Sequence, residues 1–167
     1  MRHIMKNAVI VSGGNINTDF ALDFLKKNTD ENTLLIAADR GLEFFEKTGL
    51  VPHIAVGDFD SLSAEGALYL QGLRETEIMR LKPEKDDSDT QSAVNFAIDR
   101  GAERITILGA TGNRIDHLMA NFGLLVHGRN RGADIILVDQ WNYMKLIESH
   151  TAVSYTHLRA HETGAYL

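Results

Sequence analysis

The sequence predicts an α/β fold: a mostly parallel sheet of about six strands flanked by helices, a three-layer arrangement of the Rossmann-like kind. Three observations predict it. Short apolar runs recur along the chain, stretches with apolar residues three and four apart lie between them, and the connections are compact. Such βαβα order places successive strands side by side and parallel, with the intervening helices packed on the two faces.

The elements follow in order. Ala8 to Val11 reads as the first strand and FALDFLKK (20–27) as the first helix. Leu34 to Ala37 is the second strand, with LEFFEKTG (42–49) after it, and Ile54 to Val56 is the third, followed by AEGALYLQGL (64–73). Ile78 to Leu81, TQSAVNFAIDR (90–100), Ile105 to Leu108, LMANFGLLVHGR (118–129) and Ile135 to Val138 complete the alternation. A weaker apolar run spans Tyr143 to Ile147.

Composition narrows the class. The 167 residues, 44% hydrophobic, suit one globular domain with a real core. A net charge of −6 with no basic stretch argues against nucleic-acid binding. Without cysteine there are neither disulfides nor thiolate metal sites. No segment approaches the ~18 apolar residues of a membrane span, and the first residues lack a signal-peptide core, so a cytoplasmic protein is expected.

Four acidic stretches follow apolar runs, and they carry the functional signal. In an open α/β sheet the ligand crevice lies outside the carboxyl ends of the strands, so acids placed there converge despite wide sequence separation. In GDFDSL, Gly57 ends a strand, and Asp58 and Asp60 point the same way along an extended backbone. Two carboxylates that close repel unless a cation lies between them; Mg²⁺ suits the gap, since it accepts a few carboxylates together with substrate phosphates. The loop is no EF-hand, because Leu62, Ser63 and Tyr69 stand where a ligand, a turn glycine and a bidentate Glu are required. In KDDSDTQ, Ser88 and Gln91 form a capping-box signature, and Asp89 in the first helical turn suits the macrodipole. Capping leaves Lys85 and Asp86 unexplained.

GATGNRIDH supplies Gly109, Thr111 and Gly112 as a loop entering a helix, a place where backbone amides can cradle phosphate. Arg114 adds a bidentate cation toward phosphate oxygens or forms a surface ion pair. Asp116 orients that arginine, binds metal or accepts a proton; His117 reads as a local hydrogen-bond partner or core-edge residue. Asp39 in AADRG follows a buried strand, where it serves the site or caps a helix. SGGN (12–15) is a second candidate phosphate loop, and neither a P-loop nor a dinucleotide fingerprint is present.

Taken in order, AADRG, GDFDSL, KDDSDTQSA and GATGNRIDH resemble the catalytic domain of the thiamine pyrophosphokinase (thiamine diphosphokinase) family over residues 7 to 150. The resemblance implies an enzyme that moves a diphosphate group from ATP to thiamine, releasing AMP and requiring Mg²⁺. It implies Asp58, Asp60 and Asp89 as metal ligands, Asp86 as a fourth acid, and Arg114 and Asp116 among the catalytic residues. Asp39, Gly57, Gly109, Thr111, Gly112, Arg114 and His117 are then the residues of the nucleotide site. It also implies a homodimer in which a β-rich C-terminal domain helps form the thiamine pocket.

On this reading residues 1–140 form the ATP-binding domain and 141–152 begin a truncated β-rich domain. The following VSYTHLRAHET resembles a translated sequencing adapter, so 153–167 is set aside as a non-native tail, and exposed apolar surface is expected where the missing domain packs. Two other functions fit the acids: a Mg²⁺-dependent phosphohydrolase with Asp58 as nucleophile of a D-x-D motif, and a non-catalytic ATP·Mg²⁺-binding fragment.

Overall fold

The computed structural model describes residues 5–82, 88–112 and 114–147. Its seven strands are β1 (Asn7–Val11), β2 (Thr33–Ala38), β3 (Ile54–Gly57), β4 (Glu77–Arg80), β5 (Arg104–Leu108), β6 (Asp134–Val138) and β7 (Tyr143–Lys145). They form a single sheet in the order β4-β3-β2-β1-β5-β6-β7. All pairings are parallel except β6 with β7, which run antiparallel with Val138 opposite Tyr143. The α/β class and the parallel sheet are therefore as expected, and the weak seventh run joins this same sheet as its antiparallel edge.

Five helices connect the strands: α1 (Thr18–Asn28), α2 (Leu42–Thr48), α3 (Ala64–Gly72), α4 (Asp89–Asp99) and α5 (Ile115–Asn130). Strand pleating sends alternate residues to opposite faces, and the core divides accordingly. Ala8 and Ile10 of β1, with Leu34, Ile36, Ile105 and Ile107, pack on Ala93, Val94 and Ala97 of α4 and Leu124 of α5. Val9 and Val11 point the other way, toward Ala21 and Leu25 of α1, Leu42, Phe44 and Phe45 of α2 and Leu70 of α3. The central strands are buried on both faces, which is why they read as continuous apolar runs and not as alternating ones. Helix α4 is the crossover that carries the chain from the β4 edge back past β1, touching β1, β2 and β3 on the way.

At the amino ends of β2 and β3, His53 extends the ladder with its side chain: Nδ1 accepts from the Leu35 amide at 2.9 Å while the His53 amide donates to the Leu35 carbonyl at 2.8 Å. Burial holds this imidazole below its ordinary pKa of 6.5. Because the folded value lies below the unfolded one, the contribution is complete above about pH 6.5 and is lost as the pH falls below it. Acidification from pH 7 to 5 should lower the urea midpoint less in His53→Gln than in the unsubstituted protein. Parallel pH profiles of the two would overturn this assignment.

Large exposed apolar side chains gather in two places. Ile115, Met119, Phe122 and Val126 lie on α5, and Trp141, Tyr143, Leu146 and Ile147 follow β6. Among the described residues no helix is long and apolar enough to cross a membrane.

Candidate active site

Strand order reverses between β1 and β5, since β2 to β4 extend the sheet one way and β5 to β7 the other. In open α/β sheets such a reversal opens a crevice at the carboxyl ends of the strands. Three predicted acids meet along that edge. Asp39 follows β2, Asp58 follows β3 and Asp89 opens α4, and each offers a carboxylate oxygen such that the three lie within 4.8 Å of one another. The fold explains the meeting. β2 and β3 are adjacent and in register at Ala38 and Val56, so their next residues emerge side by side. Helix α4 packs across β1 to β3 and brings its first turn to the same edge.

The start of α4 is set by Ser88, whose side chain accepts from the Gln91 amide at 3.1 Å, as the capping signature predicts. Ser88→Ala should cost about 1 kcal/mol of stability, measured by urea titration. A loss within error of zero would mean that packing alone places Asp89.

Asp39 is the most constrained of the three. It adopts a positive φ of 47° and begins a 3₁₀ turn, Asp39–Gly41, that enters α2. The Ser61 hydroxyl donates to its Oδ2 at 2.7 Å, whereas Oδ1 is buried and has no hydrogen-bond partner. Burial is the main cause that raises its pKa, reinforced by the charges of Asp89 and Asp58 and opposed by the Ser61 hydroxyl and the Arg40 amide. A buried, unpartnered carboxylate oxygen facing two further carboxylates is the environment that a hard divalent cation satisfies. The residues present thus fit a Mg²⁺ ion.

Asp60 does not join this group. The extended course assumed for GDFDSL breaks at Phe59, whose φ is 63°. Phe59 is buried under the Arg80 guanidinium, 5.6 Å from the ring centroid, and the turn leaves Asp60 exposed with its amide donating to Asp58 Oδ1 at 3.1 Å. Gly57 lies against the Asp39 backbone, where a Cβ would stand 3.0 Å from the Asp39 Cα. Glu43 of α2 fastens the same loop by accepting from the Ser63 amide at 3.0 Å. Asp86 lies outside the described residues.

The glycine loops after β1 and β5 clasp one another across the reversal. The Gly14 amide donates to the Gly109 carbonyl at 2.9 Å, and the Ser12 amide to the Leu108 carbonyl at 2.8 Å. Gly109 has φ 70°, and a Cβ on it would stand 2.5 Å from the Ser12 carbonyl oxygen, so only glycine permits this approach. Gly112 faces Gly14 and Asn15. A buried hydroxyl pair, Ser12 and Thr90 at 2.6 Å, links the clasp to the first turn of α4 and hence to Asp89. Thr111 donates to Asp139 after β6.

Arg114 and Asp116 form a bidentate pair, with Nε donating to Oδ1 at 3.1 Å and Nη2 to Oδ2. Both side chains are exposed, and the hydrogen bond from Arg114 holds Asp116 below the usual carboxylate range. His117 is exposed on the first turn of α5 and is not a core-edge residue.

Sequence reasoning passed over Ser12, Thr90, Ser61 and Glu43. Ser61 sits inside the quoted GDFDSL motif and Thr90 beside Asp89, but hydroxyls carry no pattern that separates a site tie from a surface serine.

The thiamin pyrophosphokinase catalytic-domain family model matches residues 25–137, a span that contains the acids after β2 and β3, the start of α4 and the GATGNRIDH loop. The chain belongs to that family. The thiamine pyrophosphokinase of Bacillus subtilis (strain 168) is 32% identical over 142 residues, covering 85% of this chain and 64% of that protein. The crystal structure of the Bacillus subtilis thiamine pyrophosphokinase superposes with a TM-score of 0.72 at 30% identity over 84% of this chain. A thiamin pyrophosphokinase family protein from Enterococcus faecalis superposes with a TM-score of 0.65 at 37% identity, covering 82% of this chain and 63% of that one. Yeast thiamin pyrophosphokinase, 14% identical with a TM-score of 0.65, shares the fold. The chain spans 64% of the length of its Bacillus relative.

Proposed function

We propose that this chain is the ATP-handling part of a thiamine diphosphokinase that transfers the β,γ-diphosphate of ATP to the hydroxyl of thiamine and releases AMP. The observation that carries the reading is the convergence of Asp39, Asp58 and Asp89 around an unpartnered buried oxygen, in a chain of this family. In the proposed reaction the hydroxyl oxygen bonds to the β-phosphorus, the bond from that phosphorus to the α,β-bridging oxygen breaks, and AMP carries the electron pair away. Bound Mg²⁺ would neutralise charge on the transferring phosphates.

The chain's own residues do the rest. Asp58 and Asp89, with Asp39, hold the cation, and Asp60 adds charge from the same turn. The clasped glycine loops, with Gly109, Thr111 and Gly112, present backbone amides to phosphate. Arg114, held in orientation by Asp116, stabilises charge that develops on the phosphate oxygens. A carboxylate with a depressed pKa is a weak base, so Asp116 is assigned to orient Arg114 and Asp86 to accept the hydroxyl proton. His117 lies beside that pair at the nucleotide site. In this reading the protein acts in the cytoplasm, and thiamine binding and homodimer formation draw on the further length seen in the relatives.

The deciding experiment incubates the chain with ATP, Mg²⁺ and thiamine and separates the products. Thiamine-dependent AMP supports the reading. Inorganic phosphate released without thiamine would replace it with the D-x-D phosphohydrolase, and ATP·Mg²⁺ binding without turnover would reduce it to a binding fragment.

A further inference from the structure

A cleft of about 360 Å³ lies on the far side of the glycine clasp from the acids, between the start of α1 and the loop after β6. Its floor is Leu108 and Val138, and Phe20 and Trp141 line its walls. Two primary amides, Asn15 and Gln140, stand at its rim, and neither side chain has a hydrogen-bond partner among the described residues. Apolar walls that include two aromatic rings, with a few polar groups at the mouth, suit a flat heteroaromatic ring with a polar edge.

The geometry points to this cleft as the site of the adenine base, and to an amide edge that selects adenine over guanine; the inference rests on the ATP-handling role proposed above. Position supports it. Strands stand ~4.8 Å apart, so the centre of the cleft near β5 is two strands, or ~10 Å, from Asp39 at the end of β2. A nucleotide laid along the carboxyl edge with its diphosphate at the acids would pass its ribose over the Gly14 and Gly109 clasp and bring its base to Phe20 and Trp141.

The donor set supports the choice of base. An amide pairs its carbonyl with the adenine 6-amino group and its NH₂ with a ring nitrogen, the pairing through which Asn and Gln read adenine. Guanine asks for a cation at O6 and N7 or for a carboxylate at its N1–H and 2-amino edge. No Lys or Arg lines the cleft. Its carboxylate, Asp139, is already committed. Oδ1 accepts from the amides of Trp141 and Asn142 at 2.7 Å each, both oxygens accept from the Asn142 side chain, and Oδ2 accepts from Thr111. These bonds outweigh the opposing effect of burial and hold Asp139 below the usual carboxylate range. Asp139 thus fixes the Gln140-Trp141 turn, and no lone pair is left for guanine.

The protein contains one tryptophan, so Trp141 reports on the cleft directly. Adenosine and AMP, titrated into the full chain in EDTA, should perturb its fluorescence saturably, with guanosine and GMP weaker by about tenfold or more. Gln140→Ala, at an exposed position that does not enter the core, should weaken adenosine by a similar factor and narrow its margin over guanosine. ATP binding should strengthen with Mg²⁺ while adenosine binding stays unchanged. If calorimetry shows ATP·Mg²⁺ bound while adenosine leaves Trp141 undisturbed, the base lies elsewhere and this inference falls with the proposed function intact. Equal affinities for adenosine and guanosine would overturn the amide edge. Saturable adenosine binding without thiamine-dependent AMP formation would uphold the cleft and reject the diphosphokinase.

Discussion

Asp58→Asn and Asp89→Asn should each reduce thiamine-dependent AMP formation by a factor on the order of 10² or more, and neither should make the metal-free protein less stable. The two halves of this expectation come from one feature. Three carboxylates within 4.8 Å of one another repel when no cation is present, and Asp39 Oδ1 among them is buried without a donor. An asparagine removes one charge and introduces an NH₂ next to that oxygen, so the metal-free melting temperature should hold or rise. With Mg²⁺ the order reverses. The unsubstituted protein gains stability as RT ln(1 + [Mg²⁺]/Kd), whereas a variant with a weakened site gains less. Turnover by AMP release and melting with and without Mg²⁺ therefore separate a ligand from a merely structural acid. Near-normal turnover in either variant would remove that acid from the site. A melting temperature that falls without metal would instead make it a structural residue.

The parts of this site that could be read from the sequence are those fixed by backbone periodicity. Strand ends are visible as the last residue of an apolar run, so Asp39, Asp58 and the Gly109 loop were placed at the crevice before any coordinates. Ser88 was legible for a similar reason, because capping has a local signature three residues long. The positive φ of Phe59 has no such signature. A bulky residue in the left-handed region is held there by tertiary contacts, here the Arg80 guanidinium and a buried ring. The expectation that Asp58 and Asp60 project together assumed a persistent extended strand, and that single dihedral separates them. Asp39 moves the opposite way, from a general nucleotide-site residue to a member of the acidic group, because its own turn and the Ser61 hydroxyl aim it inward.

The cleft beside the clasp was illegible for a further reason. Its lining comes from the loop before α1, the end of β5 and the loop after β6, three segments whose juxtaposition depends on strand order. A linear reading lists Asn15, Phe20, Gln140 and Trp141 far apart. Only the placement of β5 between β1 and β6 turns them into one surface. Residues after β6 were assigned to the start of another domain on the strength of the family resemblance; in the structure Tyr143–Lys145 pairs with β6.

Gly41→Ala should be the most destabilising single-methyl change near the site. A Cβ at Gly41 would lie 1.9 Å from the Val11 carbonyl oxygen, 2.6 Å from its carbon and 3.2 Å from the Ser12 carbonyl carbon. The obstacle cannot yield. Val11 is fully buried at the end of the central strand, paired with Ala37 on one side and Leu108 on the other. Relief must come from the Asp39–Gly41 turn, which would lift off β1 and carry α2 with it, and α2 anchors Leu42, Phe44 and Phe45 in the core. Overpacking of this kind costs about 3 kcal/mol or more, which for a chain of this size lowers the melting temperature by roughly 6–12 °C. The same movement draws Asp39 away from Asp58 and Asp89, so the Mg²⁺-dependent gain in melting temperature should shrink as well. Gly123→Ala is the matched control: it lies inside α5, and its added methyl meets nothing within 4 Å. Glycine is a poor helix former, so that change should stabilise by about 0.5–1 kcal/mol. A Gly41→Ala protein that melts within two or so degrees of its parent and keeps its full response to Mg²⁺ would show that the turn is free to shift, and that the close packing on β1 is not what aims Asp39.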